Sequence, residues 1–415
     1  MKKTISHLRL FLCCSLLLAM ASISYAGSAE VLPKGIFRGE VEYGYYSSVD
    51  TKFDPDGHKE RVDTDFNATL DSSVFDALGN LEVAFGLPAG SANLGDSVVD
   101  FEYDFKDLML NFQYGLTDRL SIGVKIPYYW SKTDVNDVRV DTRNATVGIN
   151  PFFGTPGDPF GVPIIPISFG GVKNDVLATE SAQSQLEALG YKRLERWSGS
   201  GISDIEAGFK YQYLNTENWQ LALIGAVRFP TGDVDDPDNL LDVGFGTGAY
   251  ALLFRSNNDY TGLENFVFDF TLKYDLVLPE RETLRILYNV NQPISANKEK
   301  VDRDIGDVFR CEVESTYKFL DAFSLSLLYE YAYKFEDRVS GDMGDMGFDY
   351  EAIEEETDWT YHRFECGLSY STIPLFRAKK FPIPLDFNIS YETFFDGTNN
   401  FLEQKIIWFR LACYF

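Results

Sequence analysis

The chain has 415 residues and a formal net charge of −26, with 15% aromatic residues and a mean hydropathy of only −0.16. Such an acidic chain excludes nucleic acid as a partner, because the phosphate backbone would repel it. A chain rich in aromatic residues that is not hydrophobic on average is typical of a barrel with apolar side chains outside and polar ones inside.

The first 26 residues have the pattern of a secretory signal peptide. Lys2, Lys3 and Arg9 precede an apolar run that continues to Ala21, and Ser24-Tyr25-Ala26 places small residues where signal peptidase cleaves. The run is too short for a membrane-spanning helix, and no other segment approaches eighteen consecutive apolar residues. We therefore expect an exported mature chain, residues 27–415, with 34 basic and 63 acidic residues and a net charge of −29.

From residue 36 onward, segments of about ten residues alternate apolar and polar side chains, which is the length and period of a strand that crosses a bilayer. In Phe323–Phe335, seven aromatic or leucine side chains share one face, as is ordinary for a strand that faces lipid. The predicted strands are 36–47, 101–115, 120–130, 202–213, 219–229, 244–254, 264–278, 307–319, 323–335, 361–371, 383–394 and 405–415. This pattern predicts an all-β fold, a transmembrane antiparallel up-and-down barrel with short periplasmic turns and long extracellular loops.

The number of strands must be even if the last strand returns to the periplasm. Residues 61–87 alternate more weakly, at Val62–Leu70 and Leu81–Leu87. A hairpin in that region would make fourteen strands rather than twelve. We expect twelve strands and one barrel domain spanning residues 27–415.

The last strand ends on Phe415, at its apolar face. This ending resembles the terminal strand that bacterial outer-membrane barrels present to their assembly machinery. The resemblance implies three partners, namely the assembly machinery, outer-membrane lipid and lipopolysaccharide. It also implies that the protein is located in the cell outer membrane.

Three cysteines remain after the signal peptide, at Cys311, Cys366 and Cys413. Each falls on the apolar face of its strand, and no two are on strands that we expect to pair. An odd number also excludes full internal pairing. We expect free, lipid-facing thiols and no metal site.

Residues 131–200 form a connection too long for an ordinary loop. A Gly- and Pro-rich stretch over 150–171 is followed by a helix-like run over 175–194. Such a helix either folds over the mouth of the barrel, enters its lumen, or lies solvated on the surface. The sequence alone does not decide between these positions.

Two other loops, Pro230–Asp242 and Glu336–Asp358, are strongly acidic. Clusters of carboxylates hold calcium in many proteins, but the spacing of an EF-hand is missing here. We expect acidic loops in solvent, and calcium or lipopolysaccharide-bridging cations are the alternatives.

If the apolar stripes face lipid, the opposite stripes place charged side chains in the lumen. Our candidates for contact with a permeant are Lys125, Glu206, Lys210, Arg228, Asp269, Lys273, Arg310, Glu312, Glu330, Arg363, Glu365 and Arg410. Ten more charged residues share these faces: Arg38, Glu40, Glu42, Asp204, Asp275, Glu314, Lys318, Lys334, Asp386 and Glu392. Both signs are present, so we expect a lattice of ion pairs that mainly stiffens the wall and favours neither anions nor cations.

Residues for catalysis are scarce. The mature chain keeps His58 in a loop and His362 on an apolar strand face, whereas a serine hydrolase needs a histidine beside a serine. The run Gly244–Gly248 opens a predicted strand and is therefore no nucleotide-binding fingerprint. We expect no enzyme and no cofactor.

Several segments resemble a known family. Leu32–Gly35 is similar to its opening, and Tyr114–Val124 to its first short-turn hairpin. Further similar segments are Ser198–Asp204 with Phe209–Tyr211, Phe229–Asp233 and Gly246–Gly248. The family is that of outer-membrane transporters named after the meta-pathway of phenol degradation, and the resemblance implies uptake of small hydrophobic compounds.

Two hypotheses follow for the function. The first is an outer-membrane channel that passes small solutes, hydrophobic ones included, with an unidentified permeant and with residues 131–200 as a lid or constriction. The second is a closed structural or surface-binding barrel that transports nothing.

Overall fold

The computed structural model describes residues 28–415, so the predicted signal peptide lies outside the described residues. The strands are β1 (Phe37–Tyr46), β2 (Thr51–Phe53), β3 (Lys59–Arg61), β4 (Asp96–Thr117), β5 (Leu120–Asp141), β6 (Val147–Ile149), β7 (Ile164–Pro166), β8 (Trp197–Ile202), β9 (Ile205–Asn215), β10 (Trp219–Phe229), β11 (Ala251–Leu263), β12 (Phe266–Val277), β13 (Glu280–Arg285), β14 (Lys298–Asp304), β15 (Val308–Leu320), β16 (Phe323–Lys334), β17 (Arg338–Ser340), β18 (Trp359–Ser371), β19 (Leu385–Gly397) and β20 (Lys405–Tyr414). The α-helices are α1 (Asp76–Phe85), α2 (Asp175–Ala188), α3 (Glu351–Glu354) and α4 (Ile373–Arg377). Short 3₁₀ turns lie at Thr64–Phe66, Thr142–Asn144, Ile167–Phe169 and Gly344–Met346. None of the helices within residues 28–415 is both long and apolar enough to cross a membrane.

Twelve antiparallel strands close a barrel in the order β1, β4, β5, β9, β10, β11, β12, β15, β16, β18, β19 and β20. Strand β20 returns to β1, and the ring is sealed by hydrogen bonds from Phe37 N to Phe415 O (3.0 Å) and from Phe415 N to Phe37 O (2.8 Å). Strand β8 adds a thirteenth member to the sheet by pairing with residues 128–133 of β5. The predicted twelve-stranded barrel is confirmed.

The alternative of fourteen strands is wrong. Residues 76–85 of the weakly alternating segment form helix α1, which ends where Gly86 adopts a φ of 65°. Phe75 and Leu78, three residues apart, are buried in a cluster above the barrel. Phe75 is the extended N-cap residue, and within the helix Leu78 and Glu82, four residues apart, share the buried face, so tertiary burial decides the conformation where the alternation is weak.

The two ends of the barrel differ. Short connections such as Asp118–Arg119 and Asp321–Ala322 join strands at one end, which we call the turn end. At the opposite end, the loop end, connections run over residues 47–95, 142–204, 230–250, 278–307 and 335–358. The predicted alternation of short turns and long loops is thus present.

Strands β4 and β5 are much longer than predicted, with 22 residues each. Strand β4 leaves β1 beyond Lys106, and β5 leaves β8 beyond Thr133, so β4 and β5 then continue as a two-stranded ribbon that rises above the neighbouring strands. Its inner face buries Val99, Phe101 and Tyr103, and this burial explains why the strands continue. The connection predicted over 131–200 is therefore reduced to residues 142–196, because β5 and β8 take its two ends.

The outer surface of the barrel is apolar, as predicted. Ile407, Phe409 and Leu411 of β20 are 40–48% exposed, while their neighbour Trp408 is buried inside. Cys311, Cys366 and Cys413 have the outward phase and form no disulfide with one another, as the sequence analysis predicts.

Candidate functional site in the barrel lumen

The structure places all twelve candidate residues on the inward face of the wall. Arg228, Arg310 and Lys273 are almost completely buried although each carries a charge. Of the ten further charged residues, Lys318 lies exposed at the turn end and Asp204 in the short break between β8 and β9. Contact of any of them with a permeant remains a prediction.

A belt of ion pairs crosses the middle of the lumen. The Arg228 guanidinium bridges Glu206 on β9 at 2.8 Å and Asp275 on β12 at 3.1 Å, and Arg310 on β15 binds the same Asp275 at 2.9 Å. Buried charges are tolerable only when they are paired in this way, because removal from water costs several kcal/mol per ion. The predicted lattice of ion pairs is present here.

The belt continues round the other half of the barrel. The ion pairs there are Lys273 with Glu312 and with Glu330, Arg363 with Glu330 and with Glu392, and Arg410 with Glu42 and with Glu365. These contacts link β12, β15, β16, β18, β19, β20 and β1. Because partners sit on strands that are not neighbours, such as β12 and β16, the pairs reach into the lumen.

An aromatic layer lies on the loop side of the belt. Tyr361 donates from Oη to Glu330 Oε1 at 2.6 Å, and its ring packs against Trp359, Phe394 and Phe401 with centroids 4.8–5.5 Å apart. These rings belong to one cluster with apolar residues from several loops. The lumen is therefore charged in the middle and apolar toward the loop end.

At the turn end, the N-terminal segment, residues 28–33, lies inside the barrel. Ala29 N donates to both carboxylate oxygens of Asp259 on β11, at 2.8 and 2.9 Å. Ala29 O accepts from Gln212 on β9 at 3.0 Å, and Leu32 N donates to Ser121 Oγ on β5 at 3.0 Å. The segment thus crosses from β5 to β11 and narrows the turn end.

A cavity of about 470 Å³ lies between the N-terminal segment and the wall. It is lined by Leu32, Gly123, Gly208 and Ile224, together with polar groups that include Lys125 and Lys210, and by residues of α4. Its lining is mostly apolar, and its size falls in the range of pockets that take small organic ligands.

The loop that enters the mouth of the barrel is residues 231–250, between β10 and β11. Leu241, Val243 and Phe245 are buried among the lumen residues of the aromatic layer. Residues 244–250 were predicted to begin a strand, and that prediction is wrong. A Cβ atom on Gly244 would lie 2.7 Å from the backbone nitrogen of Asp235, so the glycine allows two loop backbones to pack closely instead.

Helix α2 does not enter the lumen. Ala178, Ala182 and Leu186 pack against Val140 of the ribbon and against Leu78 of α1. These contacts place the predicted loop helix in a cap, defined here as α1, α2 and the segments of residues 189–194, 236–242 and 285–298 that pack on them. Helix α2 ends at Ala188, and Gly190, in the left-handed region with φ of 86°, follows its end, so the last six residues of the helix-like run predicted over 175–194 lie outside the helix.

The acids of the Pro230–Asp242 loop are not simply solvated. Asp236 pairs with Lys192 at 2.7 Å, and Asp238 pairs with Arg285 at 2.6 Å and with Lys298 at 2.8 Å. Burial would raise the pKa of Asp238, but the bonds from Lys298 and Arg285 outweigh it and hold that pKa below its usual value.

Four groups on the lumen face were not predicted: the N-terminal segment, Gln212, Asp259 and Arg255. Arg255 and Asp259 were missed because the predicted strand stopped at residue 254, whereas β11 continues to Leu263. The signal there is weak, since the positions between Arg255, Asn257 and Asp259 are Ser256 and Asn258, which are also polar. The N-terminal segment left no such signal.

His362 lies on the outer wall. Its Nδ1 is 2.7 Å from Tyr329 Oη, and its ring is 5.1 Å from the ring of Tyr331. Its hydrogen-bond partner among residues 28–415 is therefore a tyrosine rather than a serine.

Comparison with solved structures agrees with this geometry. An outer-membrane channel of Pseudomonas putida F1 is 13% identical, with 94% of this chain and 98% of that chain covered and a TM-score of 0.52. The toluene transporter TodX of P. putida is 10% identical over 94% of this chain and 92% of that chain, with a TM-score of 0.37. At such identities the first likeness shows the fold and no more.

Comparison of the sequence itself gives the family. No curated protein sequence matches the chain significantly. The model of the family described as "Putative MetA-pathway of phenol degradation" matches residues 164–411, well over half of the chain. The matched range contains the similar segments from Ser198 onward, while those at 32–35 and 114–124 precede it. The chain belongs to this family.

Proposed function

We propose that the chain is an outer-membrane channel for small solutes, hydrophobic ones included. The observation that carries this proposal is the cavity of about 470 Å³ inside a closed barrel, beside the N-terminal segment. Hydrogen bonds to Asp259, Gln212, Ser121 and Lys210 hold that segment, and its Ala29 and Leu32 side chains are buried. Its withdrawal would connect the cavity to the turn end.

The remaining expectations belong to the same proposal. The apolar outer wall fits outer-membrane lipid and lipopolysaccharide, with the loop end outside the cell and the turn end in the periplasm. Strand β20 and Phe415 would be handed to the assembly machinery. We assign no chemical reaction to the lumen, where carboxylates such as Glu206, Glu330 and Glu392 are bound by arginine and lysine side chains.

Conductance of the purified protein in planar bilayers tests the proposal. The wild type is expected to open rarely, and Asp259→Asn to open more often, because a neutral amide holds the N-terminal segment less strongly than a carboxylate does. Asp386→Asn is the matched control: it lies on the same face near the turn end but bonds Tyr414 rather than the segment.

Uptake of the fluorescent probe N-phenylnaphthylamine by intact cells gives the second readout, for a hydrophobic solute. Expression of the wild type should speed this uptake relative to cells without the protein. If neither the wild type nor Asp259→Asn conducts ions or speeds uptake, the closed-barrel hypothesis replaces this one.

A further inference from the structure

Arg255 is unlike the other arginines of the lumen. Its side chain is 4% exposed, and its Nε and Nη2 have no hydrogen-bond partner. Within residues 28–415 it forms no ion pair, whereas Arg228, Arg310 and Arg363 each bind carboxylates. A buried guanidinium without a hydrogen-bonded anion costs free energy, so this position is built at a cost to stability.

The strand register makes the surplus of positive charge clear. Arg255 on β11 lies directly opposite Lys273 on β12, and like charges in that arrangement are destabilising. On its other side it lies opposite Ile224 of β10, which in turn lies opposite Lys210 of β9. Its diagonal neighbour Asp275 is already bound by Arg228 and Arg310.

An apolar part of the cavity lies beside the residue that faces Arg255. Of the inward positions of β10 next to Arg255, Ala222 and Ala226 are buried, and Ile224 lines the cavity. Ala226 lies opposite Gly208, which lies opposite Gly123, so the wall carries only small side chains there. Ile224, Gly208 and Gly123 also line the 470 Å³ cavity.

We propose that Arg255 binds the carboxylate of a small aromatic acid inside the lumen. The guanidinium would donate two parallel N–H···O bonds to the carboxylate, its preferred geometry with such groups. The ring of the acid would lie in the cavity, against Ile224, Gly208 and Gly123. This inference rests on the proposed function and names the class of solute.

Thermal unfolding of the purified barrel tests binding, with benzoate as the probe. Benzoate should raise the Tm of the wild type, because a ligand that binds the native state stabilises it. In Arg255→Met and Arg255→Gln, the affinity for benzoate should fall at least about tenfold, as expected for the loss of a charged hydrogen-bond pair. The Tm of Arg255→Met without benzoate should equal or exceed that of the wild type, because no partner is left unpaired.

Acetate, chloride and benzyl alcohol separate the possible causes. If acetate or chloride raises the Tm as benzoate does, the site takes any anion and the assignment to aromatic acids is overturned. If benzyl alcohol raises the Tm as much as benzoate does, the carboxylate is not recognised and the proposed role of Arg255 is overturned. A shift by benzoate that survives in both Arg255 variants overturns the proposal as well.

Entry into proteoliposomes distinguishes this inference from the proposed function. If the protein speeds the entry of benzyl alcohol but not of benzoate, only the aromatic-acid inference fails. If it speeds the entry of neither solute and does not conduct ions, the channel proposal fails first. Faster entry of benzoate in the wild type than in Arg255→Gln, with equal entry of benzyl alcohol, supports both.

Discussion

The guanidinium carbon of Arg285 lies 3.6 Å from the centroid of the Tyr191 ring. Its nitrogens also donate to Leu189 O at 3.0 Å, to Ser295 O at 2.6 Å and to Asp238 Oδ1 at 2.6 Å. One side chain therefore joins the segment after α2, the loop between β10 and β11, and the loop between β13 and β14. The contacts of Arg285 therefore hold the cap together alongside its buried apolar cluster.

Substitution Arg285→Met should loosen the cap, because it leaves the Asp238 carboxylate and four backbone carbonyls with fewer donors. We expect a loss of about 3 kcal/mol, the cost of removing one member of a buried ion pair. Limited proteolysis should then cut within residues 142–196, and the cap should unfold at lower urea concentration than the barrel. Arg281→Met is the control, since that side chain is 68% exposed and pairs only with exposed Asp302, for which we expect less than about 1 kcal/mol.

The stability of the cap should also depend on pH through Asp242. Burial, with the negative charges of Asp235 and Asp236 nearby, raises the pKa of Asp242 to about 7. In the unfolded chain that pKa is near its ordinary value of 3.8, so between roughly pH 4 and 7 the folded cap holds a proton that the unfolded chain has released. The contribution of Asp242 to the free energy of unfolding of the cap is therefore fully present below pH 4 and is lost as the pH rises through 7.

Asp242→Asn should remove this dependence and give a cap that resists proteolysis better than the wild type at pH 8. Profiles of cap proteolysis against pH, from 4.5 to 8.5, measure the difference. A wild-type cap that becomes more resistant as the pH rises, or an Asn variant with the same slope, would contradict the assignment.

Alternation of side chains predicts what the bilayer imposes and little else. In β16, Phe323 and Tyr329 face outward, and lipid requires an apolar side chain at every second position. The strand and its phase can therefore be predicted from the sequence. At Arg255 no such constraint existed beyond the predicted end of the strand, and an inward arginine looks the same in sequence whether or not a carboxylate faces it. The place of the N-terminal segment depends on single hydrogen bonds such as that between Ala29 and Asp259, which no local pattern encodes.

Removing Arg228 should be far more damaging than removing Arg255. Arg228→Met would leave Glu206 buried without its arginine and would remove one of the two arginines that bind Asp275. We expect the free energy of unfolding to fall by about 3–5 kcal/mol. Urea-induced unfolding in detergent or lipid, followed by the change in gel mobility of the heated and unheated barrel, measures it. The double variant Arg228→Met with Glu206→Gln should recover part of the loss, since it removes the stranded charge.

Arg255→Met serves as the matched control for this series, because it removes an arginine of similar burial from the same half of the lumen. Its stability should stay within about 1 kcal/mol of the wild type or rise above it. Equal losses in the two methionine variants would mean that size and packing, rather than pairing, decide the stability of these positions.

Phe415 should matter for assembly and hardly at all for the stability of the finished barrel. Its side chain is 71% exposed and touches one ring, that of Phe37 at 6.2 Å, so truncation removes little packing. The hydrogen bonds that seal β20 to β1 use backbone atoms and survive Phe415→Ala. We therefore expect the variant to show a several-fold lower yield of folded barrel in the outer membrane, with a urea midpoint after purification close to that of the wild type.

Phe409→Ala is the matched control, since Phe409 lies on the same face of the same strand and is 41% exposed, and its yield should remain normal. Equal yields of the two variants would show that the position of the last aromatic residue carries no information for the assembly machinery, and a lower urea midpoint for Phe415→Ala alone would make its role structural instead.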